Sequence, residues 1–541
     1  MFRIFHGESL PLDPEEVTEE EPANLAEGVP ALVPPSAEPM GGVHAPASVE
    51  FVEDVRAPSP PPAQSKEWRF DYLFPKLHLD PENFLPPTGE PEKTVENLRG
   101  LGKVMKDPGD VEAPSVPIPT IYTFFGQFVD HDITLEKAPP EIKNLTDLTP
   151  LSSSQVRYLI SNIRSPNLEL DSVYSPYAPW DPMNRDKMLL GEVNDPNSLP
   201  CGKDKYNDLP RGPIFSNPRF DRVALIGDPR NDENLIIAQL HVAFLRAHNE
   251  LIDQGCTFEQ ARKLLVQHYQ WIVLHDFLER IADPMIVKKI RNEGATFFTP
   301  TRESLFIPLE FSAAAYRFGH SKVRDQYNDY NEIQKVATLS MLFTFTRFGG
   351  ELRAGPKIFT QITGDWVIDW TNFVNPSYPD YFTRPIDTTI AETLLNIDMQ
   401  HGVPIGVERN LATRNLLRGH ILNLPTGQAV ARRMQEKVAG IIPLEKKAIV
   451  SVVTAQQLPV LEAAGFLDKT PLWFYILAEA AFYSRGYHLG PVGSTIVAET
   501  LIGILKYSDY SILSETDWRP SLGLNPGKFD LSDLLKLAGV F

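Results

Sequence analysis

Gly126-Gln127-Phe128-Val129-Asp130-His131-Asp132 is the stretch on which the reading of this chain turns. It lies within residues 118–136, where Tyr122, Phe125 and Phe128 recur at helical spacing, so a helix is expected there. Gln127 and His131 are i and i+4 and project from one helical face. Asp130 and Asp132 flank the histidine directly. The apolar neighbours Phe124, Phe125, Phe128 and Val129 predict a buried turn, where adjacent carboxylates require cations or covalent partners. Chemistry, rather than packing alone, is expected on this helix.

Outward from it, helical patterns alternate with long connections rich in Pro, Asn and Asp. Residues 234–254 and 258–282 read as a long antiparallel helix pair broken at Gly255, and 332–348 as a further helix. Residues 443–464, 471–486 and 493–506 form a helical C-terminal block. Alternating β-branched runs are few. The fold class expected is mainly α: one large helical domain over 66–541 with long loops. The first 65 residues differ, holding 12 of the 49 prolines and 12 acidic residues against only Arg3 and Arg56. They are expected to form a disordered acidic arm.

Composition narrows the function. The chain has 541 residues and a net charge of −19, which repels phosphate backbones and argues against a nucleic-acid partner. No transmembrane segment is expected, because no stretch approaches the ~20 apolar residues of a membrane span. Residues 1–10 lack the apolar core of a classical signal peptide. Cys201 and Cys256 cannot make a disulfide framework or a four-thiolate zinc site. Phosphate-loop, HExxH and CxxC motifs are missing, and the glycines at 100 and 102 lack a preceding strand. His241 and His248 lie seven apart on one helix, as do His268 and His275 on the next. That is about 10.5 Å along an α-helix, too far to chelate one metal, and they are expected in helix packing.

Three further segments carry polar residues far apart in sequence. They are Gly227-Asp228-Pro229-Arg230-Asn231-Asp232-Glu233-Asn234, running into Leu245-Arg246-Ala247-His248-Asn249; Tyr316-Arg317-Phe318-Gly319-His320; and Arg414-Asn415-Leu416-Leu417-Arg418. With the 126–132 stretch, and in this order, they resemble the animal-type haem peroxidases of the peroxidase–cyclooxygenase superfamily. The resemblance covers roughly 66–541 and suggests a bacterial-like member without a propeptide.

The resemblance implies the following roles. His131 is the distal base and Arg230 the distal arginine, with Gln127 lining the same pocket and able to hold a halide or water. His320 is the proximal ligand to the iron of a haem b, and Asn415 accepts a hydrogen bond from its other ring nitrogen. Arg317 and Arg418 pair with haem propionates. Asp130 and Glu233 match carboxylates that form ester bonds to the haem. Asn234 stands where a linking methionine occurs in the family, so no sulfonium bond is available. Asp132 is a calcium ligand, joined by Ser165, Asn167, Glu169 and Asp171. The family usually has Thr at the first of these four positions and Asp at the third. Such oxygen-only donors suit a hard cation, and a calcium site suits an exported protein better than a cytosolic one.

The implied function is oxidation of a small-molecule electron donor (a phenol or halide) by hydrogen peroxide, through a ferryl haem intermediate. Two alternatives remain: a haem-dependent fatty-acid dioxygenase, and a non-catalytic haem- or calcium-containing interaction protein. In dioxygenase relatives the radical tyrosine stands three residues before the proximal histidine. Here that position is Arg317, with Tyr316 one residue earlier. On an α-helix one residue turns a side chain by about 100°, so Tyr316 is expected to point away from the haem site and to serve packing.

Overall fold

Thirteen consecutive residues with no exposed face, Ile121–Ile133, make the helix at the centre of the molecule. The computed structural model describes residues 67–86, 91–107, 115–175, 178–212, 222–346, 361–375, 381–397 and 408–541. The expected N-terminal arm (1–65) lies outside them. All described residues fall in one compact unit.

The helices that matter here are α1 (Pro91–Lys103), α2 (Ile121–Ile133), α3 (Leu235–Asp253), α4 (Phe258–Ile272), α5 (Leu411–Ile421), α6 (Leu472–Ser484) and α7 (Pro491–Leu505). The strands are short. In the largest sheet, β1 (Trp68–Asp71) pairs antiparallel with β3 (Ser161–Asn162) and parallel with β4 (Ile307–Pro308), and β3 also pairs with β2 (Glu136–Lys137). Three strand pairings of two residues each cannot carry a core. The mainly α expectation holds, and the core is helix against helix.

Local signals set the helix ends. Asn234 caps α3 by accepting the Ile237 N–H at 3.0 Å. Thr257 and Gln260 form a capping box on α4. Gly255, at φ +95°, makes the turn between the two helices, a conformation that L side chains avoid. Past Ile272 the chain continues through a π-turn (Val273–Phe277) into Leu278–Ile281. The π-turn brings Phe277 over α2, where its ring would lie 3.1 Å from a Cβ on Gly126.

The expected helix at 332–348 is absent. Val336–Thr338 is a strand paired with Gln326–Asn328, and among the described residues of the span only Leu339–Leu342 is helical. A hairpin takes its place: the Asp329 N–H donates to the Lys335 carbonyl and the Asn331 N–H to the Gln334 carbonyl, turning 336–338 back along 326–328. The expected helix at 443–464 is likewise split, into Lys446–Val450 and Gln457–Ala463.

Candidate functional site

The four segments singled out by sequence converge in pairs. His131, on the last turn of α2, is fully buried, and its Nδ1 lies 2.8 Å from Asn231 Oδ1. An amide oxygen only accepts, so Nδ1 carries the hydrogen and Nε2 the lone pair. Nε2 makes no hydrogen bond. Burial, reinforced by the Arg230 charge, pulls this imidazole down to about 3, so it is neutral at pH 7. The Asn231 Nδ2 donates to His241 Nδ1 at 3.0 Å, linking the base to α3. His241 is also fully buried and also pushed down to about 3 by burial.

Arg230 sits on the short 3-10 turn Pro229–Asp232, which Asp228 opens by accepting the Arg230 N–H. The same carboxylate grips the guanidinium, at 3.0 Å from Nε and 2.7 Å from Nη2. Nη2 also donates to the His131 and Thr134 carbonyls at the end of α2. Burial would raise the Asp228 carboxyl, but Arg230 and Arg164 overcome it and hold the group well below the usual range. Arg230 is therefore clamped on one edge. Its Nη1 makes no hydrogen bond and lies 3.8 Å from Asp130 Oδ2. Asp130 and Glu233 are buried beside the same cation.

His320 lies on a 3-10 segment, Ala315–Lys322. Its Nδ1 is 2.6 Å from Asn415 Nδ2, and Arg317 Nη1 donates to Asn415 Oδ1 at 2.7 Å. Asn415 meets the ring as expected, but with its amide nitrogen instead of its oxygen. The reason is that a guanidinium only donates, so it claims the oxygen. Arg317 additionally donates to the Ser312 carbonyl, and its own carbonyl accepts from Trp473 Nε1 on α6. Arg418 is held by Glu136, in a buried ion pair of 2.9 Å, and by the Ile142 carbonyl. Both arginines assigned to propionates thus have protein partners.

A small cavity of about 20 Å³, room for about one water, runs from His320 to Gln127. Tyr122, Thr123 and Gly126 line it from α2, and Tyr316, Phe318, Gly319 and Lys322 from the His320 segment. It stops one helical turn short of His131. Gln127 accepts from Asn234 Nδ2 at 3.3 Å, while its own Nε2 makes no hydrogen bond. Tyr316 was expected to point elsewhere and does not. The backbone is 3-10, not α, so the α-helical rotation does not apply. Its ring stacks on Phe311 at 4.6 Å, and burial raises its hydroxyl well above the usual phenol range. A buried imidazole, aromatic walls and a neutral base with a fixed guanidinium beside it suit a haem, and ligation through His320 Nε2 requires the Asn415 amide turned so that its oxygen takes the Nδ1 hydrogen.

Asp132 and Asp171 come together as the calcium expectation requires. Burial raises both carboxyls, with Asp171 adding to the rise at Asp132 and Asp509 to that at Asp171. Asn167 Oδ1 is buried with no hydrogen-bond partner, and Ser165 donates its backbone N–H to Asp171. Glu169 departs from the set. Its longer side chain reaches the Asp509 N–H at 2.8 Å. Among the described residues no three His, Cys, Asp or Glu side chains form a metal cluster. A cation there would rest on two carboxylates, Asn167 and neighbouring oxygens, which fits calcium and not a transition metal.

Sequence reasoning missed Asp228, Asn231, Arg164 and Lys322. Asp228 could have been read as a cap from its place two residues before Arg230. Nothing local marks the other three. The packing expectation for His241, His248 and His268 holds: His248 contacts Tyr174 Oη and the Asp186 carbonyl, and His268 Nε2 accepts two backbone N–H groups.

The model of the animal haem peroxidase family matches residues 184–364. That span holds Arg230, Glu233, Arg317 and His320. Over that third of the chain, roughly, the sequence is similar to the animal haem peroxidase family. His131 and Asn415 lie outside the matched span and are tied to it by the Asn231 and His320 contacts. A peroxidase-like protein of Margaritifera margaritifera is 27% identical over 38% of this chain and 32% of its own length. Thyroid peroxidase of Rattus norvegicus is 23% identical over 51% of this chain and 30% of its own. The chain thus matches about a third of these relatives' length. Peroxidase A of Dictyostelium discoideum shares the fold, with a TM-score of 0.50 and 16% identity over 76% of this chain and 83% of that one. Among the described residues no helix is long and apolar enough to cross a membrane.

Proposed function

We propose that this chain is a haem-dependent peroxidase that uses hydrogen peroxide to oxidise small phenols or halides. The observation that carries the reading is the state of His131. Asn231 takes its Nδ1 hydrogen, and burial keeps the ring neutral, so Nε2 is a base aimed by its own protein. A base of this kind accepts a proton from one oxygen of peroxide and returns it to the other. Arg230, clamped by Asp228 and with Nη1 making no hydrogen bond, stabilises negative charge on the departing oxygen. Gln127 adds an N–H donor for a water or halide.

A haem b, held by His320 and attached through at most Asp130 and Glu233, supplies the iron chemistry when bound. Arg317 and Asn415 hold the His320 ring in place. Arg418, paired with Glu136, would have to share its charge with a propionate. Calcium at Asp132 and Asp171 would tie the end of α2 to the 165–171 loop.

Stopped-flow mixing of the haem-loaded chain with peroxide and a phenol tests the reading. His131→Ala should slow the peroxide step by at least ~10²-fold, the low end for general acid–base catalysis. An unchanged rate would remove His131 from the mechanism. A second reading, fatty-acid dioxygenation, draws on one observation: Tyr316 lines the pocket with His320. A regiospecific hydroperoxide from linoleate that vanishes in Tyr316→Phe would replace the peroxidase reading by that one.

A further inference from the structure

We propose that a cavity at the C-terminal end of α3, apart from the peroxide site, binds a small organic cation: an amine or guanidine carried on an apolar body. The inference does not rest on the peroxidase reading. Arg246 lies twelve residues past Asn234, which meets Gln127, so about 18 Å of helix separates the two sites.

The segment Leu245-Arg246-Ala247-His248-Asn249, which the peroxide site does not use, builds the walls. Asn249 brackets Met188: its Oδ1 accepts the Met188 N–H at 2.7 Å, and its Nδ2 donates to the Met188 carbonyl at 2.8 Å. His248 Nε2 lies 2.9 Å from the Asp186 carbonyl. These contacts hold the hairpin of Trp180–Asp181 and Asn184–Met188 against α3. On the other side, Arg246 donates from Nε to the Ala538 carbonyl at 2.9 Å and from Nη1 to the Tyr206 carbonyl at 3.1 Å. The space between these walls is about 450 Å³, within the range of small-molecule sites.

Charge selects the ligand. Four carboxylates and two cations line the cavity. Asp204 matches Arg246 through bonds of 3.0 and 2.9 Å, and Asp253 matches Lys187 at 2.6 Å. Asp181 and Glu250 are left over. Each has one oxygen engaged by an uncharged donor, the Met183 N–H at 2.8 Å and the Gln254 amide at 2.9 Å. No cation among the described residues pairs with either. The cavity therefore offers open anionic acceptors, while its guanidinium is already engaged. A bare metal ion is the wrong occupant, because among the described residues no three His, Cys, Asp or Glu side chains converge. Met188, Leu190 and Ala538 also give the cavity apolar surface that such an ion cannot use. An ammonium or guanidinium only donates, so it suits the open carboxylates, and its hydrocarbon covers the apolar wall.

The test uses the full chain, with and without haem, as wild type and as the double variant Asp181→Asn, Glu250→Gln. Both substitutions keep an oxygen acceptor for the Met183 and Gln254 donors, and far-UV circular dichroism checks the fold. The probes are benzylamine and benzyl alcohol, which are close in shape and differ in charge. Affinity is read at low salt by calorimetry and saturation-transfer NMR. Wild type should bind the amine at least ~5-fold more tightly than the alcohol, and the double variant should lose most of that preference. Equal wild-type affinity for the two probes, no binding of either, or a preference that survives in the double variant would overturn the proposal. Probe binding is read on the haem-free chain as well, so a failure of haem uptake or turnover bears on the peroxidase reading alone.

Discussion

Asn231 fixes two imidazoles with one amide. Its oxygen orients His131 and its nitrogen reaches His241, so removing the amide should loosen the base without touching His320. Asn231→Leu is expected to slow peroxide-dependent oxidation roughly 10-fold or more, as expected when positioning of a general base is lost, while haem content stays normal. Stopped-flow rates beside a Soret spectrum separate the two effects. The reverse pattern is expected at His320. His320→Ala should lose most of the haem, and an unchanged Soret band would refute its assignment. At this scale the sequence named His131, Arg230 and His320 by resemblance, but not what holds them. Asp228 and Asn231 were visible as residues, but Asn231 meets His131 only across 100 positions of chain and Asp228 meets Arg164 across 64.

Close approach between helices places these residues. α1 packs against α5, and a Cβ on Gly102 would come within 2.7 Å of the Thr413 backbone. Any side chain there would push α5, and with it Asn415, away from His320. Gly102 therefore serves helix packing. α6 and α7 meet at Glu479, whose carboxylate accepts the Val492 and Gly493 N–H groups at the start of α7. Burial raises this carboxyl to about 8. A folded-state value above the unfolded one means that its stabilisation is complete below about pH 4.5 and is lost as pH rises towards 8. Glu479→Gln keeps an acceptor and cannot ionise. Between pH 5 and 8 the wild type should lose stability relative to the variant by about 1 kcal/mol per pH unit. Urea denaturation of both proteins at several pH values measures this, and parallel curves would show that Glu479 does not ionise on unfolding.

Over the whole molecule, the stability of the α2 end depends on how the Asp132–Asp171 pair is neutralised. Burial raises both carboxyls and Asp171 raises Asp132 further, so a cation bound there would favour the native state over the unfolded chain. Exhaustive chelation should lower the melting temperature by several degrees, the shift expected for a few kcal/mol in a large domain. It should also perturb the haem spectrum, because Asp132 adjoins His131. Retention of stoichiometric calcium by Asp132→Ala, measured by elemental analysis, would show that the site lies elsewhere.

The sequence by itself determined the mainly α class, the central helix and the order of the polar segments, because apolar periodicity and capping residues are local signals. It also marked Asp132 and Asp171 as partners across a loop. Only the tertiary structure decided that 332–348 does not run as one helix, where the chain turns back to pair 336–338 with 326–328. It likewise turned Tyr316 into the pocket, through 3-10 geometry that periodicity does not register. Arg317 took the oxygen of Asn415, Glu169 reached Asp509, and Arg418 met Glu136. Each of these contacts joins residues remote in the chain, and which of several acceptors a long charged side chain reaches is set by where the packed helices leave it.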